Sequence, residues 1–400
     1  MNSINFLQRG KNINNKEIVL GIQHLLAAFG ATTLVPLLTG FSVPVALFTA
    51  GLGTLIFHII TKFKVPIFLG SSFAFIPVVV LVTQITGSTQ YAQGGIVVAG
   101  LLYVLFSLIV SKLGIDKVSS FFKPHIVGTM ILIIGLTLMP VAVEMSLTNW
   151  EIAGLVFSIA IIIQILGQGF FKQMSIIVGV GIGYIVAIFV GLVDLSPLVE
   201  ASWFVVPNFS LPKFDLQSIG IIAPVVFAVF MEHIGDISAN QTVTGKNYLE
   251  DPGLHRTLLG DGVATIVAGL LGGPANTTYS ENTGVLALTH NYNPRILRIA
   301  AVFAIIVSFV GKITAFFAGI PIFIIGGISL VLFGMISIIG LKTLIKDKSW
   351  TNPTKIITVI LMLVIGLGPQ WNIGIFSLSS ISAAALTGII IDRVAFKVFK

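Results

Sequence analysis

The chain alternates long apolar runs with short polar breaks that recur roughly every 20 to 30 residues, against the about 20 apolar residues that a membrane-spanning helix needs. Uninterrupted runs near 18–40, 43–61, 93–111, 125–143, 151–171, 174–193, 218–240, 256–273, 297–318, 320–340, 354–368 and 372–391 predict twelve spans. Two further segments, 66–86 and 274–290, have polar first halves and predict interrupted spans, which brings the expected crossings to fourteen.

The first interrupted segment reads Gly70-Ser71-Ser72-Phe73-Ala74-Phe75-Ile76-Pro77. A residue before proline is pushed toward extended geometry and proline suits the first turn of a helix. The expectation is extended backbone through Ile76, then a half-helix from Pro77 to about Thr86. At about 1.5 Å per residue it covers roughly half of a hydrocarbon core about 30 Å thick. The second segment, Gly273-Pro274-Ala275-Asn276-Thr277-Thr278-Tyr279-Ser280-Glu281, has the same form. Ser280 is the expected N-cap, followed by a half-helix from Glu281 to about His290. Two extended pieces at the midplane could pair as a short two-stranded element and offer N–H groups to a ligand, since backbone unpaired at that depth is tolerated only where protein or a cavity meets it.

Composition and charge sharpen this picture. Charged residues make up 9% of the 400, hydrophobic residues 56%, and mean hydropathy is +1.04. A soluble protein carries about 25% charged residues, so the chain is expected to be an all-α integral membrane protein. With 22 basic and 15 acidic residues the net charge is +7, but the basic residues are strung out between apolar runs. They form no patch for nucleic acid. Zero cysteines exclude disulfides, thiolate metal sites and cysteine nucleophiles. The polar, basic first sixteen residues, without a small-residue cleavage site, are expected to be a cytoplasmic tail before an uncleaved span.

Basic residues concentrate on the cytoplasmic side of membrane proteins. Fourteen crossings from a cytoplasmic N-terminus place 20 of the 22 basic residues inside, leaving Lys213 outside and Lys312 within a span. Omitting either interrupted segment scatters them. Fourteen is twice seven, and an odd-numbered repeat puts its second copy upside down. The interrupted spans are numbers three and ten, the same position in each half, the pattern that marks a transporter site at an inverted-repeat interface.

Acidic residues within spans are functional candidates by default. Glu281 is one, at a half-helix N-terminus where the dipole favours an anion. Glu232 and Asp236, in FAVFMEHIGDISAN, share one face by their i, i+4 spacing, and Asn240 continues it. Two readings stand for Asp236 and Asn240: site residues, or polar groups solvated at the cytoplasmic mouth. His233 points off that stripe and reads as a packing histidine. His24, in GIQHLLAAFG, is a candidate hydrogen-bond partner for a neighbouring carboxylate. His58, His125, His255 and His290 lie near span ends and call for no function. No HExxH, no GxxxxGK[ST] and no nucleophile–base set supports a metalloprotease or an ATP-driven pump; the chain is not expected to be an enzyme, and no metal site or cofactor is expected.

Glu281-Asn282-Thr283-Gly284-Val285-Leu286-Ala287-Leu288-Thr289 resembles the Q/E-N-x-G-x-x-x-x-T signature of the nucleobase–ascorbate transporter (nucleobase:cation symporter-2) family. NTTYSENTGV, MEHIGD, GSSFAFIP, EDPGLHR and GIQHLLAAFGATTLVPLL are similar to its uracil permease branch, in order and over essentially the whole chain. The resemblance implies fourteen spans in two inverted repeats of seven, with a core domain (17–123 and 218–318) and a gate domain (124–195 and 319–392). Tails at 1–16 and 393–400 would be cytoplasmic and the 196–217 loop extracellular. It implies a homodimer in the lipid of the cytoplasmic membrane. It further implies that Glu232 and Glu281 bind the ring N–H groups of a pyrimidine, and that backbone N–H groups near Phe73 and Ser280 bind its carbonyls. Ser72 and Tyr279 would lie close by, with Asn282 and Phe333 in support. The chain departs from the branch at Ser280 (usually Gly), Asp236 (often His) and Phe333 (usually Tyr). Uracil is the favoured substrate, with the proton as coupling ion through Glu232, Asp236, His24 and Glu281. The rivals are a purine (xanthine or urate) proton symporter and a passive nucleobase channel.

Overall fold

The computed structural model describes residues 15–114, 117, 123–369, 371–373 and 376–398. The tails expected at 1–16 and 393–400 therefore lie partly outside the described residues, and where described they are helical. Asn15 and Lys16 open the first helix, and Arg393–Val398 continue the last one.

Helices dominate because the apolar runs have no water to pair their backbone groups and must pair them internally. In the first half these are α1 (Asn15–Thr39), α2 (Val43–Ile60), α3 (Ile76–Thr86), α4 (Thr89–Leu113), α5 (Pro124–Leu147), α6 (Trp150–Leu166), the short α7 (Gly169–Gln173) and α8 (Ser175–Phe189). After the short α9 (Ser196–Glu200) come α10 (Leu216–Ile222), α11 (Val226–Thr244), α12 (Leu254–Leu271), α13 (Ser280–Thr289), α14 (Pro294–Ser308), α15 (Gly311–Ala318), α16 (Ile322–Lys346), α17 (Pro353–Gly366) and α18 (Ser380–Val398). Among the described residues, seven helical segments are long and apolar enough to cross a membrane, including Leu216–Thr244 across the α10–α11 junction.

Three expected boundaries move, each for a local reason. The 218–240 span is two helices joined by a 3₁₀ turn at Ala223–Val225 around Pro224. The 297–318 span breaks after Ser308, where Val310 bridges to Phe204 instead of continuing the helix. The 372–391 span begins as an antiparallel pair, β3 (Trp371–Ile373) with β4 (Phe376–Leu378), and turns helical only at Ser380. There Ser379 Oγ accepts the Ser382 N–H at 3.2 Å as a cap.

Packing falls into two groups. In one, α2 lies against α12 and α14, α4 against α12, and α1 against α14. In the other, α5 and α16 form the most extensive pair, α6 packs on α16 and α8, and α17 on α18. The α5–α16 approach is close: a β-carbon at Gly340 would lie 2.4 Å from the Leu132 amide nitrogen and 2.7 Å from the Gly128 carbonyl. The groups meet where α11 rests on α5 and α18, where α10 meets β4 and where α13 meets α7, and less closely where α1 passes α16 and α8.

Candidate functional site between the two interrupted spans

The two polar half-segments pair. Strand β1 (Leu69–Ser71) runs antiparallel to β2 (Asn276–Thr278), with Leu69 opposite Thr278, Gly70 opposite Thr277 and Ser71 opposite Asn276. One bond extends the ladder at each end, Ser72 N–H to Ala275 O at 2.8 Å and Tyr279 N–H to Phe68 O at 3.1 Å. Buried side chains from the flanking helices hold it in place. Thr54 Oγ accepts the Leu69 N–H at 2.8 Å, Thr265 Oγ donates to Asn276 O at 2.8 Å, and Asn276 Nδ2 donates to Thr49 O at 2.9 Å.

Beyond the ladder each chain turns helical at once. Extended backbone was expected through Ile76, yet it ends at Ser72, and Phe73–Phe75 form a 3₁₀ turn into α3. Pro77 is the cause. It sits in the first turn, where its fixed φ favours helix, and Ile76 before it is already helical (φ −52°, ψ −54°). On the other side Ser280 is the first helical residue and not the cap; Tyr279 occupies the cap position, with no side-chain capping bond. The Phe73 and Ser280 amides thus begin helical turns, where an N–H has no acceptor four residues back.

Tyr279 is the diagonal cross-strand neighbour of Gly70, within reach of a long ring. Its hydroxyl donates to Ser71 O at 2.8 Å, while Ser71 Oγ donates to Thr32 O on α1 at 3.1 Å. The ring lies so close that a β-carbon on Gly70 would come within 2.4 Å of it. Only glycine permits this approach.

The carboxylates arrive from α11 and α13. Glu232 and Asp236 are half-buried on one face of α11, and Asp236 Oδ2 accepts the Thr278 hydroxyl of β2 at 2.9 Å. Asn240 is fully buried and donates to Pro66 O at 3.0 Å, so it lies against the chain leading into β1 and not at a solvated mouth. Glu281, second residue of α13, and Glu232 are close enough to sense each other's charge, and Asp261 reaches both Glu232 and Asp236. Glu232 Oε2 and the fully buried Ser72 Oγ have no hydrogen-bond partner in the protein. Phe73 meets Phe333 of α16 edge-on, ring centres 6.2 Å apart, which joins the two helical groups beside the site. A cavity of about 570 Å³ lies between Leu37, Ile76 and Pro77 of one group and Thr137, Leu138 and Ile325 of the other.

One histidine departs from expectation and another keeps to it. His24 is fully buried and its partner is not a carboxylate: Asn282 Nδ2 donates to His24 O at 2.9 Å and lies 3.1 Å from His24 Nδ1. His233, read as a packing residue, is fully buried between Asp261 Oδ2 (2.8 Å) and Thr257 Oγ (2.9 Å) of α12. Asp261 was overlooked in the sequence, although a carboxylate within an apolar run is itself the signal. Among the described residues no three acidic, histidine or cysteine side chains gather as a metal site.

Comparison with known proteins follows the same lines. The family model described as "Permease family" (Xan_ur_permease) matches residues 15–373. A probable uracil permease of Pasteurella multocida is 43% identical over 391 residues, covering 95% of this chain and 93% of that protein. The uracil permease of Bacillus subtilis is 40% identical over 400 residues (94% and 92%), and that of Escherichia coli K12 is 36% identical over 385 (93% and 89%). Among solved structures, the transmembrane domain of the cyanobacterial bicarbonate transporter BicA shares the fold at a TM-score of 0.64 and 14% identity, covering 94% of this chain and 96% of that one. Murine Slc26a9, an anion transporter in the inward-facing state, does so at 0.71 and 8% (96% and 69%). A multi-pass helical chain with this site, this family match and these relatives belongs to the nucleobase–ascorbate transporter family, a family of permeases.

Proposed function

We propose that the protein imports uracil across the cytoplasmic membrane in symport with protons. The observation that carries this reading is the meeting of two interrupted spans beside two carboxylates. Uracil is a flat ring with two N–H donors and two carbonyl acceptors. The amides at Phe73 and Ser280 are fixed donors for the carbonyls, while Glu232 and Glu281, which only accept when ionised, suit the ring N–H groups. A base with the wrong edge leaves buried polar groups unpaired, which a site of this kind rejects strongly. The uracil permeases among the relatives support the choice of substrate.

Fourteen crossings in two inverted repeats account for the packing. If span n corresponds to span n + 7, the α2–α14 contact is the counterpart of α12–α4, and α6–α8 that of α17–α18; both members of each pair occur. The first helical group is then the core domain and the second the gate. Their relative motion gives alternating access, as in transporters built from such repeats. With basic residues on the cytoplasmic side, both termini and the α11–α5 contact belong to the cytoplasmic face in this reading, and the 570 Å³ cavity to the extracellular one. The homodimer rests on family likeness.

Glu232, mid-helix and without the dipole that compensates Glu281, is the main proton-sensitive group, with Asp236 and Thr278 beside it. In proteoliposomes, labelled uracil uptake should be competed by pyrimidines and much less by xanthine or urate, and should acidify the lumen. Glu232→Gln should lose the pH dependence of uptake; wild-type pH dependence in that variant refutes its coupling role. Stronger competition by purines would move the assignment to the purine symporters, and flux unaffected by collapsing the proton gradient would indicate a channel.

A further inference from the structure

A second cluster of ionisable groups lies away from this site, at the opposite packing pair. His125, on the first turn of α5, is fully buried, with Nε2 3.1 Å from Asp392 Oδ1 of α18 and Nδ1 3.9 Å from Asp347 Oδ2 at the end of α16. Lys123, just before α5, pairs with Asp392 Oδ2 at 2.7 Å. Lys355 of α17 pairs with Asp347 Oδ2 at 2.8 Å, and Ser349 donates to the same oxygen at 2.9 Å. These four charges, two basic and two acidic, are the ones whose fields reach the ring. They balance, so the imidazole alone decides the net charge of the cluster.

The two ring nitrogens are not equivalent. A neutral ring that donates from Nε2 to Asp392 turns the lone pair of Nδ1 toward the Asp347 carboxylate, and Nδ1 is buried without a partner. A proton on Nδ1 converts that repulsion into a charge-assisted bond, needing a closure of only about 1 Å to reach normal length. Asp347 belongs to the α16–α17 corner, and Lys355 holds it there. Two residues along α5 from His125, Val127 contacts the core: a β-carbon on Gly235 of α11 would lie 3.9 Å from Val127 Cγ1. The cluster therefore sits directly behind the surface on which α11 rests.

We propose that His125 is a proton-operated latch on the gate domain: protonated, it ties α5 to the α16–α17 corner through Asp347 and holds the cytoplasmic face closed against α11. The latch rests on the topology given above for its sidedness. It makes the transporter sense protons accumulating on the side where they are released, at a site separate from the substrate.

The chain has no cysteine, so a Val127→Cys/Gly235→Cys pair reports closure cleanly. With copper–phenanthroline as oxidant and the otherwise unaltered chain in proteoliposomes, disulfide formation, divided at each pH by that of a small dithiol under the same oxidant to remove the falling thiolate fraction, should speed up about threefold or more as cytoplasmic-side pH falls from about 7.5 to about 5. His125→Gln, which keeps a donor for Asp392 but cannot take the second proton, should abolish that acceleration. Asp347→Asn, which keeps His125 and removes its second partner, should abolish it too. Labelled uracil exchange should slow over the same range in the wild type and not in either variant. Acceleration of cross-linking that persists in both variants overturns the latch. If the chain carries a different substrate, uracil exchange is silent while cross-linking still reads the latch, so the two failures are distinguishable.

Discussion

Substituting Gly70 by alanine tests the packing that positions the proposed substrate site. The added methyl would meet Tyr279 Cε2 and Cζ at 2.4 Å and Thr32 Oγ at 2.8 Å. Ordinary contact begins near 3.4 Å, so the ring must move by about 1 Å, because β1 is held by ladder bonds on one side and Thr54 on the other. A shift of that size stretches the 2.8 Å bond from Tyr279 to Ser71 O beyond the 3.5 Å limit. The lost bond leaves a buried carbonyl unpaired, worth about 1–3 kcal/mol, and overpacking adds about 1–3 kcal/mol. Tyr279 immediately precedes Ser280 and Glu281, so part of this penalty falls on binding. At about 1.4 kcal/mol per decade, uracil affinity should weaken at least about tenfold, measured by calorimetry or scintillation proximity on purified protein. Tyr279→Phe loses the bond without the clash and should fall between wild type and Gly70→Ala. In a Tyr279→Ala background the glycine substitution should do little further harm, giving a coupling of at least about 1 kcal/mol in a double-mutant cycle. Affinity within twofold of wild type for Gly70→Ala, or additive effects in the cycle, would refute the reasoning.

Two other outcomes concern the 196–217 connection. Lys312 Nζ donates to Leu198 O at 2.8 Å and Val199 O at 2.7 Å, pinning the loop before α10 to α15. Lys312→Met should lower stability by about 1–2 kcal/mol, since bonds to a charged donor are strong but this one is partly exposed, read as a drop of a few degrees in a detergent melt; an unchanged melt and unchanged proteolysis of that loop would rule the pin out. Asp215 caps α10 by accepting the Ser218 N–H at 2.9 Å, and these bonds hold its carboxyl below the usual range. A depressed folded pKa stabilises above the unfolded value of about 3.9 and is lost as pH falls through the folded one. Asp215→Asn should therefore lower thermal stability slightly at pH 7 and flatten its acid limb, so that variant and wild type converge as pH falls from about 5 to about 3; an acid limb as steep as the wild type's would contradict this.

The sequence disclosed most of the architecture because the bilayer leaves few alternatives. Most runs of about 20 apolar residues become helical, although 372–391 begins as the β3–β4 pair, and the polar half-run between Gly70 and Pro77 finds an interior pairing. What it did not disclose lies in choices made after packing. Ile76 reads as extended from its proline neighbour, yet a first helical turn accommodates the pair, and that decides which amides are free. His24 reads as a partner for acid, but Asn282 reaches it first, across a contact between α1 and α13 that sequence spacing does not reveal. His233 points off the carboxylate stripe as its position on α11 requires. Its role depends on Asp261, which α12 brings within 2.8 Å from 28 residues away.

The distribution of buried charge suggests why one helix carries so much of the function. On α11, Glu232 lies within electrostatic reach of Glu281, Asp236 is tied to β2 through Thr278, Asn240 is tied to the chain before β1, and His233 is tied to α12. Gly235, between them, is the point at which the same helix touches α5. In the proposed mechanism, a proton or a substrate edge arriving at Glu232 acts on an element fixed to the strand pair on one side and resting on α5 and α18 on the other. Helix α1, its counterpart under the n + 7 correspondence, carries a histidine and no carboxylate in its interior and packs less closely on α16 and α8. In the proposed inverted-repeat arrangement these two helices are equivalent, but the acidic groups sit on only one of them. That asymmetry gives the proposed proton coupling a direction the backbone symmetry alone would not.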